Sequence, residues 1–379
     1  MLLPTRGLVV ALFVISAVWP RIVGANRALM EYMESFERRI EQESAIGKAL
    51  RPRAQQLMTE WLGAGNERVY PGRDGWLFYR PDVEYVTGRG FLEEREFERR
   101  VLSASEWTTP PQPDPVLAIV QFKRQLEARD IALVIVPTPV KPVIHPEGLA
   151  VGSQATVRNT SFARFASALA EAGVVVFDPA EELSRGKGDQ YLRTDTHWRP
   201  EAMEAVAVRL ARFIEARWPV VRAVRPADPV APALTPAETG HRVQQVEVQQ
   251  TGDIVPMLDL PDGQRLYPPE SVWLRRVVNA DGSGWRSSRD ADVLVLGDSF
   301  SNIYSLESMG WGTSAGFVEQ LSYALRRPID RILQNDDGAF ATRAILAADT
   351  GRLKNTRVVV YQFAERELAF GDWKIVPFD

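Results

Sequence analysis

The chain reads as an α/β protein built on a mainly parallel sheet, and three observations lead there. Short apolar runs without polar alternation, at 131–136, 173–178, 292–297, 329–334 and 357–363, mark strands covered on both faces. Stretches of helical periodicity near 161–172, 315–326 and 340–348 stand between them, as the crossovers of a parallel sheet require. One run ends abruptly in Gly297-Asp298-Ser299, which puts a serine at the carboxyl edge of the sheet, where open α/β sheets keep their sites.

Composition agrees with a folded chain and removes several function classes. The 379 residues are 45% hydrophobic and 25% charged, enough apolar material for one sizeable domain with a small appendage. A net charge of −4 with no Lys/Arg block leaves no electrostatic footprint for nucleic acid. Cysteine is absent, which excludes disulfides, CxxC redox chemistry and thiolate metal sites.

Taken in order, residues 1–25 hold Arg6 and then an apolar stretch to Trp19, the pattern of a signal peptide or uncleaved signal anchor. Residues 26–66 read as an amphipathic helical stalk, with Leu29, Met33, Phe36 and Ile40 on one stripe, and Gly47 and Pro52 are expected to break it in two. The main domain then spans 67–379. Asp74-Gly75 reads as a turn into an aromatic strand ending at Tyr79, 109–115 as a Pro-rich loop, and 116–129 as a helix. A helix is also expected over Pro200–Arg217, with proline at its start, where a missing N–H costs nothing. About 218–287 the text turns rich in Pro, Val and Gln and reads as an irregular loop-and-hairpin insert.

The residues that carry chemistry lie in two places. Ser299 becomes a nucleophile only if a base reaches it. Asp195-Thr196-His197-Trp198 offers one: a carboxylate two residues from an imidazole, on one face if the segment is extended, can hold its tautomer and stabilise the imidazolium. The chain has only three histidines, and His145 and His241 lack such a partner pattern. No H-x-x-x-H or clustered acidic pattern suggests a metal site, and no P-loop is present.

These motifs together resemble the SGNH-hydrolase superfamily, and specifically its alginate O-acetyltransferase branch of the AlgJ/AlgX type. The matches are Asp74 to Tyr79, Val136 to Lys141, Pro146 to Leu149, Asp195-Thr-His-Trp198, Gly252-Asp-Ile, Gly297 to Tyr304 and Phe363 to Leu368. The Asp/His block precedes the serine block, the reverse of the common SGNH order and the order of that permuted branch. The chain ends soon after Arg366, without the carbohydrate-binding module of the AlgX type, so the membrane-anchored AlgJ type is the nearer likeness.

The resemblance implies a three-layer SGNH-like sandwich and a polysaccharide O-acetyltransferase that needs no metal or organic cofactor. It implies Ser299 as acyl-accepting nucleophile, His197 as base and Asp195 as its orienting carboxylate. The Ser299 N–H, Asn302 and Asn335 are candidate oxyanion donors; Lys141, Tyr304 and Arg366 are candidate substrate-binding residues. Implied partners are an exported polysaccharide, a membrane-bound O-acyltransferase that supplies acetyl, and other exopolysaccharide-machinery proteins. The implied place is the periplasm, anchored to the inner membrane. A polysaccharide O-acetyl esterase with the same triad and a non-catalytic polysaccharide-binding subunit stay open as alternatives.

Overall fold

The computed structural model describes residues 45–102, 111–149, 157–218, 241–262, 264–336 and 338–378. The expected signal or anchor, the first part of the stalk and the first two residues of the Pro-rich loop lie outside them. The chain divides into two units, 1–62 with 259–263, and 63–258 with 264–379. In the first, a helix covers Ala45–Leu62 and runs unbroken through Pro52, contrary to the expected break. One proline removes one i→i−4 bond, and the strong helix formers after it carry the helix on. No helix among the described residues is long and apolar enough to cross a membrane.

Among the described residues of the second unit, nine strands form three sheets. Strands β1 (Val69–Pro71) and β2 (Leu77–Tyr79) make an antiparallel hairpin. Strands β3 (Ala132–Thr138), β4 (Val175–Val176), β7 (Val293–Gly297), β8 (Asp330–Leu333) and β9 (Val358–Ala364) form a fully parallel sheet of order β4-β3-β9-β7-β8. Strands β5 (His241–Gln250) and β6 (Glu270–Asn279) pair antiparallel over all ten residues. The described part of the expected loop-and-hairpin insert thus contains a regular ribbon: Val272 and Leu274 face the core while Trp273 between them faces out.

Successive residues of the parallel strands enter two different cores. Val134, Val136, Val293, Val295, Val358 and Val360 pack on one face with the helices Pro200–Arg217 and Phe317–Leu325. Leu133, Ile135, Leu294, Leu296 and Val359 pack on the other with Pro115–Glu127 and Phe162–Glu171. This is the three-layer sandwich. Residues 293–296 are fully buried. At about 1.5–3 kcal/mol for each large aliphatic side chain removed from water, this strand is a fixed point for whatever follows it. Helix starts follow local chemistry: the Asp114 carboxylate accepts from the N–H groups of Val116 and Leu117, and Pro115 takes the first helical position. The helices Arg80–Thr87 and Glu94–Leu102 add to the expected set.

Candidate active site

Ser299 leaves the carboxyl end of β7 at the first position of a one-turn helix, Ser299–Asn302. The turn is held by Asp298. Its carboxylate accepts from the Phe300 N–H (2.9 Å), Gln362 Nε2 (2.9 Å) and the Ala364 N–H (2.6 Å). Gln362 accepts in turn from the Asp298 N–H and the Ser301 hydroxyl, and donates to Thr138 Oγ1 at 3.0 Å. The ends of β3, β7 and β9 are thus tied together beneath the serine. A Cβ on Gly297 would come within 2.5 Å of Ser301 Oγ, so the turn closes this tightly only on glycine. Ser299 itself is half-buried and lines a cleft with Gln334, Asn335 and Arg366.

The candidate base, His197, lies on a loop and not on an extended segment. Residues 193–197 are a succession of bends, closed by the Tyr191–Trp198 bridge and by the bonds Leu192 N–H to His197 O and Arg199 N–H to Gln190 O. The outcome sought is still reached: Asp195 Oδ1 lies 2.7 Å from His197 Nδ1 and also accepts the His197 N–H at 3.1 Å. Asp195 Oδ2 accepts from Trp311 Nε1 (2.9 Å) and from the Asp253 N–H (3.0 Å). Both carboxylate oxygens are occupied, so the group has one orientation.

Two ties join base loop and nucleophile turn. Trp198 Nε1 donates to the Phe300 carbonyl at 3.1 Å, and the Tyr304 hydroxyl donates to the Trp198 carbonyl at 2.6 Å. The Phe300 ring lies against the imidazole, 4.8 Å between centroids. His197 Nε2 is buried beside this turn and has no hydrogen-bond partner. A buried polar atom left open at the end of an oriented imidazole is a place for a hydroxyl or other donor.

The electrostatics suit a base. Burial alone would lower the His197 pKa, but its bond to Asp195 and the charges of Asp195 and Asp253 outweigh it and raise the pKa above the ordinary value. Burial would raise that of Asp195, but the bond and charge of His197, with the Trp311 and Asp253 donors, hold it below the usual range. Asp253 is pushed up to about 6 by burial and then by the Asp195 charge.

The other candidates divide. Asn302 Nδ2 donates to Asn335 Oδ1 at 2.7 Å, so the two amides sit together beside the cleft, Asn302 buried and Asn335 exposed. Arg366 lines the cleft and is held by the buried Asp82 at 3.1 Å. Lys141 and Tyr304 are corrections to the substrate-binding set. The Lys141 ammonium, 1% exposed, is committed to the carbonyls of Leu77 and Arg193. Tyr304 is fully buried on the Trp198 carbonyl. Both hold the site's walls rather than face a substrate. His145 is likewise structural: its Nδ1 pairs with Glu147 and its Nε2 accepts the Gln190 N–H.

Sequence reasoning missed Asp253, Trp311, Thr196 and Gln362 as parts of the site. For Asp253 there was a signal, the Gly252-Asp-Ile match. Its arrival also makes a group absent from the linear motifs: Asp195, His197 and Asp253 offer ligand atoms within 4.8 Å of one another. Apart from His197 Nε2, their polar atoms are engaged by one another and by Thr196, Trp311 and backbone N–H groups, so the group is a hydrogen-bonded network that orients the imidazole.

Comparison with known proteins accords with this arrangement. The family profile described as "SGNH hydrolase-like domain, acetyltransferase AlgX" matches residues 69–365. The "Probable alginate O-acetylase AlgJ" of Pseudomonas syringae pv. tomato is 25% identical over 316 residues, 80% of this chain and 70% of that protein. Among solved structures, the O-acetyltransferase domain of Pseudomonas putida AlgJ superposes with a TM-score of 0.57 at 21% identity, over 80% of this chain and 93% of that one. Pseudomonas aeruginosa AlgX does so with 0.51 at 14% identity, over 78% and 62%. At these identities the solved structures speak for the fold, while the family profile, which spans most of the chain, speaks for membership. The chain belongs to the family of SGNH hydrolase-like AlgX acetyltransferases.

Proposed function

We propose that this acetyltransferase moves acetyl groups onto hydroxyls of an exported polysaccharide through an acetyl-serine at Ser299. The observation that carries the mechanism is the 2.7 Å Asp195–His197 pair, whose open Nε2 is buried against the turn bearing the serine. His197 Nε2 takes the Ser299 proton as Oγ attacks the donor carbonyl, and the same proton goes to the leaving group as the tetrahedral species collapses. A sugar hydroxyl then loses its proton to Nε2 and attacks the acetyl carbon. Ser299 Oγ leaves and recovers the proton from His197.

Asp195 stays ionised and balances the imidazolium at each transfer. Asn302 and Asn335 stand beside Ser299 as amide donors for the oxyanion, a role worth about 3–4 kcal/mol for one well-placed side chain. Arg366 supplies positive charge to the cleft for an acidic or hydroxyl-rich sugar. In this reading the protein works in the periplasm, held at the inner membrane by residues 1–25. A membrane-bound O-acyltransferase supplies acetyl there, alongside other exopolysaccharide-machinery proteins. The name of the AlgJ relatives supports an alginate-like polymer as substrate.

Intact-mass measurement after exposure to a small activated acetyl ester tests the chemistry. Wild type is expected to gain one acetyl on Ser299, and Ser299→Ala and His197→Ala to gain none. A folded wild type with no adduct and no ester turnover sinks the mechanism.

A further inference from the structure

The linear motifs contain one carboxylate for the imidazole, yet the folded chain brings two. Asp253 follows β5, in the connection to β6, and grips Thr196, the residue between Asp195 and His197. Its Oδ1 accepts the Thr196 N–H at 2.7 Å and its Oδ2 accepts the Thr196 hydroxyl at 2.6 Å. Its own N–H closes the ring on Asp195 Oδ2 at 3.0 Å.

The direction of these bonds has a chemical result. A Thr196 hydroxyl that donates to Asp253 must turn a lone pair elsewhere, and its oxygen lies 3.0 Å from His197 Nδ1. Nδ1 therefore meets acceptors on two sides, Asp195 Oδ1 and Thr196 Oγ1, and can satisfy them only by carrying a proton. With the proton on Nδ1, Nε2 is left with its lone pair, the form a base must have. Asp253 also places its charge 3.8 Å from Nδ1.

The approach is built into the fold. A Cβ on Gly252 would lie 2.2 Å from the Thr194 carbonyl oxygen and 2.5 Å from the Asp195 nitrogen, so only glycine lets the two segments come this close. Three further bonds fasten the joint: Ile254 N–H to Thr194 O, Gly252 N–H to Thr194 Oγ1, and Thr194 N–H to Glu270 at the start of β6.

We propose that Asp253 is a second positioning carboxylate of the site, which fixes the Nδ1–H tautomer of His197 through the Thr196 hydroxyl and sets the imidazole's basicity through its charge. The inference rests on the reading of His197 as the base. The other charged groups around the imidazole are Asp195 on its own loop, Arg366 after β9 and Asp82 on the helix Arg80–Thr87, while Lys141 after β3 acts on Asp195 and Asp253 themselves. Of the carboxylates among them, Asp195 and Asp253 act most strongly in raising its affinity for a proton.

The protein has three histidines, so imidazole nitrogens can be followed one by one in the 15N-labelled full chain and assigned with single His→Gln variants. In Asp253→Asn the His197 pKa is expected to fall by about 1, as loss of one nearby opposite charge dictates. The neutral-ring shifts should also move from Nδ1–H toward a mixture of tautomers. Thr196→Val should admit less of the other tautomer than Asp253→Asn, because Asp195 still accepts from Nδ1, and should change the pKa less, because the charge remains. Asp253→Glu should recover both in part. The pH profile of acetyl-ester turnover should move in parallel, with its rising limb displaced to lower pH in Asp253→Asn.

Unchanged His197 pKa and tautomer in Asp253→Asn, with His145 and His241 resonances showing a folded protein, overturn the proposal. If Asp253→Asn does not fold, an unchanged tautomer in Thr196→Val does the same. A wild type that turns over no ester while Asp253→Asn still moves the His197 resonances refutes the acyl-transfer mechanism and leaves the role of Asp253 standing.

Discussion

Trp311 Nε1 donates to Asp195 Oδ2 at 2.9 Å, so a buried indole orients the carboxylate that orients His197. Trp311→Phe keeps an aromatic ring, takes away the donor and leaves a small void where the indole was buried. One buried acceptor loses a partner, at about 1–3 kcal/mol of stability by denaturant unfolding. The Asp195–His197 geometry loosens with it, and ester turnover should drop about tenfold or more at unchanged KM.

The pH dependence follows from the two shifts. With the neutral His197 imidazole as the proposed base, turnover should rise with pH through a midpoint above the ordinary 6.5. Stability moves the other way: His197 holds its proton more tightly folded than unfolded, so its contribution is complete below 6.5 and is lost as pH rises through the folded-state value. Asp195 contributes above its ordinary 3.8 at full strength, and that part is lost as pH falls through its depressed value. Unfolding midpoints across pH, for wild type and His197→Gln, check the sign. A midpoint for turnover below 6.5 would contradict it.

Gly252→Ala should damage the joint between the β5–β6 connection and the Asp195 loop. A methyl group there meets main-chain atoms of Thr194 and Asp195, which cannot swing aside as a side chain would. A cost of about 1–3 kcal/mol is expected, with turnover falling more than at Gly351→Ala, where the backbone is not left-handed and the added Cβ makes only an ordinary contact with Asp349 Oδ1 at 3.5 Å. The second variant is a control for the loss of glycine itself.

Lys141→Met separates a wall residue from a substrate contact. Burial lowers the Lys141 pKa to about 8, and its ammonium holds the β2 carbonyl of Leu77 to that of Arg193 beside the base loop. Losing both bonds should cost about 1–3 kcal/mol of stability while leaving KM for an anionic oligosaccharide acceptor unchanged. Arg366→Ala, by contrast, should raise that KM.

What was legible in the sequence follows from how each feature is encoded. The parallel strands are continuous apolar runs, so 131–136, 292–297 and 357–363 could be read off directly and stand within a residue or two of β3, β7 and β9. Asp195, His197 and Ser299 were legible because each sits in a short motif whose parts are neighbours in the chain. Asp253 and Trp311 were not, since their partner Asp195 lies 58 and 116 residues away: the Gly252-Asp-Ile match marked Asp253 without naming its partner, and nothing local marked the indole. Lys141 and Tyr304 misled for a related reason. A cation and a phenol near a motif suggest a substrate, and only the fold shows the carbonyls that claim them. The ribbon was legible as a hairpin from the alternation after His241, but its regularity over ten residues was not, because the apolar positions of β5 are only half-covered.

The bonds between Trp198, Phe300 and Tyr304 bear on how the centre opens. The base loop and the serine turn cannot separate without breaking both hydrogen bonds and exposing the Phe300 ring. Amide hydrogens on the two segments, such as those of Leu192 and Ile303, should therefore exchange with solvent through one shared opening and with similar protection. Nucleophile and base, a hundred residues apart along the chain, would then be lost and regained as one cooperative unit, so that thermal fluctuation divides the molecules into intact and open centres rather than into a spread of half-formed ones.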